Sequence, residues 1–440
     1  MFLISKFLPT KEIYFTTLLA LIPASFIAGN LIINLNIIIL IISTLFFFRL
    51  DQFKIKFYLL DKLLFLYFFL LIVTGILNDI YFFLNNISWW KGQYQTSIKS
   101  ILFLRYLLLY LSLRFLIEKK IINLKYFFIS SCLFALFVCF DIYYQFIYGY
   151  DFFGFEAGPG RKLAGPFGDE AISGGFIQRF SIFSFFIAPI FFSKESKSFI
   201  KIIIPVLFII FFVGVVLSGN RMPAILFIFL VSLIVIFNAQ TRKFFLHFVI
   251  IFFVIFTVLF NSSAKVRTDF KVLFSEISKI AIITINKDFQ NERAPQYLKE
   301  FASFYHTWRL NKYLGGGIKN FRLYCHMRQN IDPNEKFVCN MHPHNYYLEI
   351  LTESGLIGLI LILSIFAIII FKTFIKKYFI KSNLNSNKII IPFIFLFLVE
   401  IFPLKSTGSF FTTGNATYLF LLIGILVGLA RRDISIEKKY

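Results

Sequence analysis

Two histidines separated by one proline stand in MHPHNYYLEILTESGLIGL, residues 341–359, at the start of an apolar run. Imidazole is the side chain best suited to move a proton near neutral pH. His342 and His344 are therefore candidates for a general base, and the chain holds only five histidines in 440 residues. Pro343 or Asn345 is a natural helix start, Pro at the first helical position and Asn as the N-cap. A histidine there feels the positive end of the helix dipole, which favours the neutral ring, and the same end attracts phosphate. The bland alternative is a pair of interfacial histidines bonded to loop carbonyls. A zinc site would need His306, His326 or cysteines as further ligands, but no CxxC or HExxH spacing occurs, so no metal is expected.

Several charged residues suit anionic ligands. Arg221, in SGNRMP (218–223), is the only charge between two apolar runs, and its guanidinium offers a planar fork for phosphate. The alternative is an arginine snorkelling to lipid headgroups. The loop GYDFFGFEAGPGRKLAGPFGDEAISGG (149–175) is rich in glycine and carries Arg161 and Lys162, which could reach an anion. It lacks the order of a nucleotide-binding loop. At about 1.5 Å per residue, Arg105, Asp141, Arg179 and Glu353 all fall about 10 Å inside their apolar runs. Four such charges at one level are expected to pair with one another, either as a cavity floor or as locks between helices.

Elements long enough to cross a membrane must position these groups. Hydrophobic residues make up 58% of the chain and charged residues 15%, against about 25% charged in soluble domains. The composition, rich in Phe, Ile, Asn and Lys, is also what an AT-rich genome encodes. The formal charge of +22 suits basic cytoplasmic loops and phosphate-bearing ligands, and no Lys/Arg block reads as a nucleic-acid patch. Apolar runs near 13–29, 31–48, 59–79, 98–117, 126–148, 173–193, 200–217, 222–238, 244–260, 346–371, 389–404 and 416–430 predict about twelve transmembrane helices. The first reads as a retained anchor, not a removed signal peptide. The expected fold is an all-α polytopic membrane protein, with helices 1–9 in 1–260, a large, mostly helical loop at 261–345, and helices 10–12 in 346–440.

Alternate connections are basic: RLDQFKIK, EKKIINLK, KESKSFIK, TRK, KTFIKKYFIK and RRDISIEKK. The opposite short ones, AGN, LSGN and STGSFFTTGN, are nearly free of Lys and Arg. The positive-inside rule then puts both termini in the cytoplasm and the 261–345 loop in the periplasm, in a bacterial inner membrane. Between Asn261 and Asn345 that loop has thirteen Lys/Arg against seven Asp/Glu, an excess that suits an anionic, membrane-borne substrate. In an oxidising compartment Cys325 and Cys339 could form a disulfide, whereas Cys132 and Cys139 are expected to be buried thiols.

Together these stretches resemble the O-antigen ligase/polymerase superfamily. HPHNYYLEILTESGLIG is similar to its histidine–asparagine motif leading into a span, and SGNR, RKLAGPFGD and NKYLGGGIKNF follow the same order. The resemblance implies a GT-C-like glycosyltransferase of lipopolysaccharide biosynthesis. It would move a glycan from undecaprenyl pyrophosphate to a hydroxyl of lipid A–core, with no cofactor, metal or ATP. It implies His344 as the base, with His342 as second choice, and Arg221 as a pyrophosphate ligand. Asn345 and Glu353 would support the motif. The family places an arginine shortly before the Trp of the late loop, but SFYHT precedes Trp308 here. His306, Arg309 and Arg322 are candidate substitutes, and the family's loop arginine leaves Arg161 and Lys162 both open. A polysaccharide polymerase would use the same donor. A lipid-linked sugar transporter would show inverted repeats or paired broken helices, and a metal-dependent transferase would want an acidic pair in YFFLNNISWWKGQYQTS.

Overall fold

The long apolar runs leave no water to satisfy backbone groups in a bilayer, so the chain satisfies them within helices. The computed structural model describes residues 10–437 except 49–55, 88–94, 158–162, 192–196, 238–244, 263, 287–295, 332–337, 381–383, 385 and 407. The helices up to the late loop are α1 Lys11–Ala20, α2 Ile22–Ala28, α3 Asn30–Phe47, α4 Leu59–Leu84, α5 Thr96–Glu118, α6 Leu124–Tyr148, α7 Ser173–Phe180, α8 Ser184–Phe191, α9 Lys197–Leu217, α10 Arg221–Phe237 and α11 Phe245–Ser262. The late loop holds α12 Ala264–Asn286, α13 Gln296–Trp308 and α14 Phe321–Ile331, and α15 Tyr346–Ile370, α16 Ile390–Glu400 and α17 Thr413–Glu437 follow. No strand occurs among the described residues, only an isolated bridge between Tyr150 and Glu156.

Among the described residues, seven helices are long and apolar enough to span: α1 with α2, then α3, α4, α5, α6, α15 and α17. Four shorter apolar helices lie within α9, α10, α11 and α16. The expected count of twelve is therefore not reproduced. The clearest departure is 173–193, which is not one helix: α7 and α8 flank a 3-10 turn at Ser181–Phe183. An average of hydropathy hides the glycines and Arg179 in SGGFIQRF, and these belong to a short amphipathic helix.

The core is continuous from Phe15 to Ala430. At its centre α5 packs along both α4 and α17. Gly424 and Gly428 of α17 make the close approach possible, because a Cβ at Gly428 would lie 2.8 Å from Ile117 Cβ. One end of α4 and α5 is closed by Asp61, Arg114, Glu118 and Arg431. Asp61 and Arg114 are both fully buried and in contact, Glu118 lies 2.7 Å from Arg114, and Arg431 reaches Asp61 at 3.3 Å. Tyr110 also donates to Asp61, at 2.5 Å.

The other end is built around a break in α15. Gly355 adopts φ 68° and ψ −171°, a conformation closed to most side chains. The opened turn is bonded instead to the strap Lys312–Lys319. Gly316 N donates to Thr352 O (2.9 Å), Gly317 N to Glu353 O (2.8 Å), Leu356 N to Lys312 O (2.9 Å) and Ile357 N to Tyr313 O (3.2 Å). The strap must carry glycines here, since a Cβ at Gly315 would stand 2.5 Å from the α15 backbone. It is held from α4 and α5 as well: Thr74 Oγ1 donates to Leu314 O (3.1 Å), and Asn320 Nδ2 to Thr96 Oγ1 (2.7 Å). A polar loop thereby satisfies an unwound point in a spanning helix.

Candidate functional site

The histidine pair stands at the head of α15. Of the two expected helix starts, Asn345 is the N-cap: its Oδ1 accepts from Tyr347 N (3.0 Å) and Leu348 N (3.1 Å). Pro343 lies outside the helix. Asn345 Nδ2 also donates to Pro403 O at 2.8 Å, which ties the turn to the loop before α17. His344 takes φ +54°, an uncommon conformation for a residue with a side chain. The His342 and His344 rings face each other with centroids 4.4 Å apart. Burial, with the nearby charges of His344, Arg322 and Lys319, holds the His342 imidazole down to about 4. It is therefore neutral at pH 7, the state a base requires.

Two acids lie below the turn on the same face of α15. Glu349 accepts from Ser409 Oγ (2.5 Å) and Phe410 N (2.6 Å), and Glu353 accepts from Lys319 N (2.7 Å). Both are buried. Lys99, in the first turn of α5, is within electrostatic reach of Glu353, Arg322 and Lys319. Asp79 caps that helix, accepting from Thr96 N and Ser97 N at 2.9 Å each. The N-termini of α5, α14 and α15 thus meet around Lys99, Lys319, Arg322, His342 and His344.

A second network braces the turn from beside it. Arg179 Nη2 donates to Glu400 Oε1 (2.7 Å) and Asn415 Oδ1 (2.6 Å), and Lys405 Nζ to the same Glu400 oxygen (2.6 Å). Tyr346 OH, the first residue of α15, donates to it at 2.7 Å. The expected mutual pairing of Arg105, Asp141, Arg179 and Glu353 does not form. Arg179 is bound to Glu400 and Glu353 to the strap. Arg105 donates to Leu102 O and Tyr106 OH, both at 2.7 Å, and Asp141 accepts from Phe152 N at 2.7 Å. Equal depth along separate helices does not fix which way side chains point around each axis.

The remaining candidates divide. Cys325 and Cys339 are joined in a disulfide that links α14 to the stretch leading into the histidines. Cys139 is a buried thiol, and Cys132 is half-buried. Arg221 opens α10, as the sequence suggested, and lies 3.2 Å from Glu276 of α12. Arg309 is exposed just beyond α13, whereas Arg322 is half-buried beside His342. Arg161 and Lys162 lie outside the described residues. Among the described residues no three His, Cys, Asp or Glu side chains gather as metal ligands. Sequence reasoning missed Lys99, Lys319, Glu349, Glu400 and Lys405. For Glu400 a signal existed, since an acid within an apolar run is expected to serve a site or a partner.

These features define a multi-pass, all-helical membrane protein with a neutral histidine, buried acids and cations at one end of its bundle. Residues 206–363 match the family model described as O-antigen ligase, a stretch that runs from α9 through Arg221, the strap and the disulfide into α15. The match supports the O-antigen ligase superfamily, and with it a membrane glycosyltransferase of the ligase or polymerase type. A search of the curated proteins gives no match.

Proposed function

We propose that this protein transfers a glycan from undecaprenyl pyrophosphate to a hydroxyl of lipid A–core on the periplasmic face of the inner membrane. The observation that carries the reading is the pair of imidazoles, 4.4 Å apart, at the capped start of α15 beside Lys319 and Arg322. His344 is the base in this reading, with His342 beside it as the second choice. It takes the proton of the acceptor hydroxyl as the oxygen attacks the anomeric carbon. The anomeric C–O bond to phosphate breaks, and the electron pair leaves on the lipid pyrophosphate. The leaving group is already activated, so the step needs no nucleotide. Cations at the pyrophosphate stabilise the charge that develops there. The positive-inside pattern of the loops supports a periplasmic site with both termini in the cytoplasm.

The test is reconstitution with an undecaprenyl-pyrophosphate-linked glycan, offering lipid A–core and a second lipid-linked glycan as rival acceptors. Product on lipid A–core is the expected result, and elongation of the lipid-linked glycan instead makes the protein a polymerase. Failure to transfer to either acceptor favours a transporter, a class in which a broken helix such as α15 also occurs. His344→Ala is expected to lower the transfer rate by roughly 10²–10⁴-fold, the usual contribution of a general base. Transfer at the wild-type rate by that variant removes His344 from the mechanism.

A further inference from the structure

We infer that Lys319 and Arg322, supported by Lys99, form the principal phosphate-binding site of this protein, ahead of Arg221. The inference rests on the transferase reading and adds the residues that would hold its donor. Three observations carry it.

The first is charge without a salt-bridge contact, although the buried acids Glu349 and Glu353 lie within electrostatic reach of Lys319. Among the described residues, neither Lys319 nor Arg322 has an acidic side chain in salt-bridge contact, and Arg322 Nε is buried with no hydrogen bond. A buried guanidinium nitrogen left unsatisfied is costly, and a bound anion would satisfy it. Arg221, by contrast, already has Glu276 at 3.2 Å.

The second is construction. Lys319 is held at φ +57°, a left-handed conformation that a lysine adopts only where its surroundings enforce it. The enforcing contacts are the Glu353 carboxylate on Lys319 N and the glycine strap bonded to α15. Asn320 then binds Thr96 on α5 and Gly316 O within the strap, so α14 begins at a fixed point. His344, just before α15, is likewise a non-glycine residue held in the left-handed region.

The third is convergence. The N-terminus of α14 carries Arg322 in its first turn, and that of α5 carries Lys99. Helix N-termini add positive potential to the lysine and arginine charges. The His342 ring is within electrostatic reach of both Lys319 and Arg322, so a phosphate held by them would sit at the same end of the bundle as the candidate base.

The experiment measures binding of undecaprenyl pyrophosphate and of inorganic pyrophosphate to the full chain in nanodiscs, together with glycan transfer. Lys319→Ala and Arg322→Ala are each expected to weaken undecaprenyl pyrophosphate binding about tenfold, and the pair about a hundredfold. Arg221→Ala is expected to weaken it less than either. Lys319→Arg, which keeps the charge, is expected to bind within about threefold of wild type, and thermal unfolding of each variant reports whether it is folded. The inference is overturned if the double variant binds within about threefold of wild type, or if Arg221→Ala loses more than the double variant. It is also overturned if Lys319→Arg loses as much as Lys319→Ala. Failure of the phosphate site and failure of the transferase reading separate cleanly. Unchanged transfer by the double variant removes the phosphate site alone. Lys319- and Arg322-dependent binding of inorganic pyrophosphate by a wild type that transfers no glycan removes the transferase reading alone.

Discussion

The two ends of α4 and α5 hold buried charge in opposite ways. At one end Asp61 and Glu118 face Arg114 and Arg431, acids and bases in equal number, with Tyr110 donating to the same Asp61 oxygen that Arg114 contacts. Every charge there answers another, and the cluster locks α4, α5 and α17 together. About 22 Å further along α5, Lys99 is within electrostatic reach of Lys319, Arg322 and Glu353, and His342 within reach of the same Lys319 and Arg322. The acids Glu349 and Glu353 are themselves occupied by backbone N–H groups, a hydroxyl and the strap. A compensated cluster has nothing left to bind, whereas Lys319 and Arg322, in no salt bridge among the described residues, invite an anion. The lesson is that a buried charge becomes informative through its hydrogen-bond partners more than through its burial.

The largest effect is expected at the locked end. Arg114→Met leaves Asp61 buried without its main partner, and losing one side of a buried ion pair costs about 3–5 kcal/mol. Thermal unfolding of the purified protein should show a marked loss of stability, with pyrophosphate binding of the remaining folded fraction intact. A variant as stable as wild type would erase the distinction between the two ends.

A smaller loss is expected from the disulfide. Cys325 and Cys339 are 14 residues apart, and closing a loop of that size contributes roughly 3 kcal/mol in the chain-entropy model. Cys325→Ser with Cys339→Ser should loosen α14 and the stretch before the histidines while leaving the locked end protected. Hydrogen exchange reads both ends at once, and equal loosening at each would contradict the division.

The mildest effect concerns pH. The folded state lowers the His342 proton affinity to about 4, from an ordinary value of about 6.5. The stability it contributes is complete above about 6.5 and declines as pH falls through about 4. Unfolding temperature should therefore drop across that window, and less steeply in His342→Gln. The two variants His342→Gln and His344→Gln also divide the base role. If His342 were the base, transfer would persist at pH values below those at which an ordinary histidine protonates.

Much of the fold was legible because hydropathy is an average over about twenty residues, and averages survive without coordinates. The long runs became helices, Asn345 became the N-cap, and the two loop cysteines joined. The same averaging failed at 173–193, where SGG and Arg179 interrupt the run and produce α7 and α8. The NKYLGGGIKNF motif was visible, but its role was not, because the strap's partners Thr352, Glu353, Leu356 and Ile357 lie some forty positions later. Lys319 counted only among the thirteen basic residues of the loop and Lys99 was not singled out, since nothing local distinguishes a solvated cation from one placed near buried acids.

The sequence by itself determined that the chain is helical and membrane-embedded, that basic and non-basic connections alternate, and that two histidines precede a capped helix. Local pattern suffices for these, because helix formation, capping and insertion depend on neighbouring residues. Only the tertiary structure decided which charges meet. It bound Arg179 to Glu400, broke α15 at Gly355 against the strap, gave Arg221 an acidic neighbour, and put Lys319 and Arg322 within electrostatic reach of His342. Such pairings depend on the rotation of each helix about its axis and on contacts distant in sequence, which periodicity and spacing do not encode.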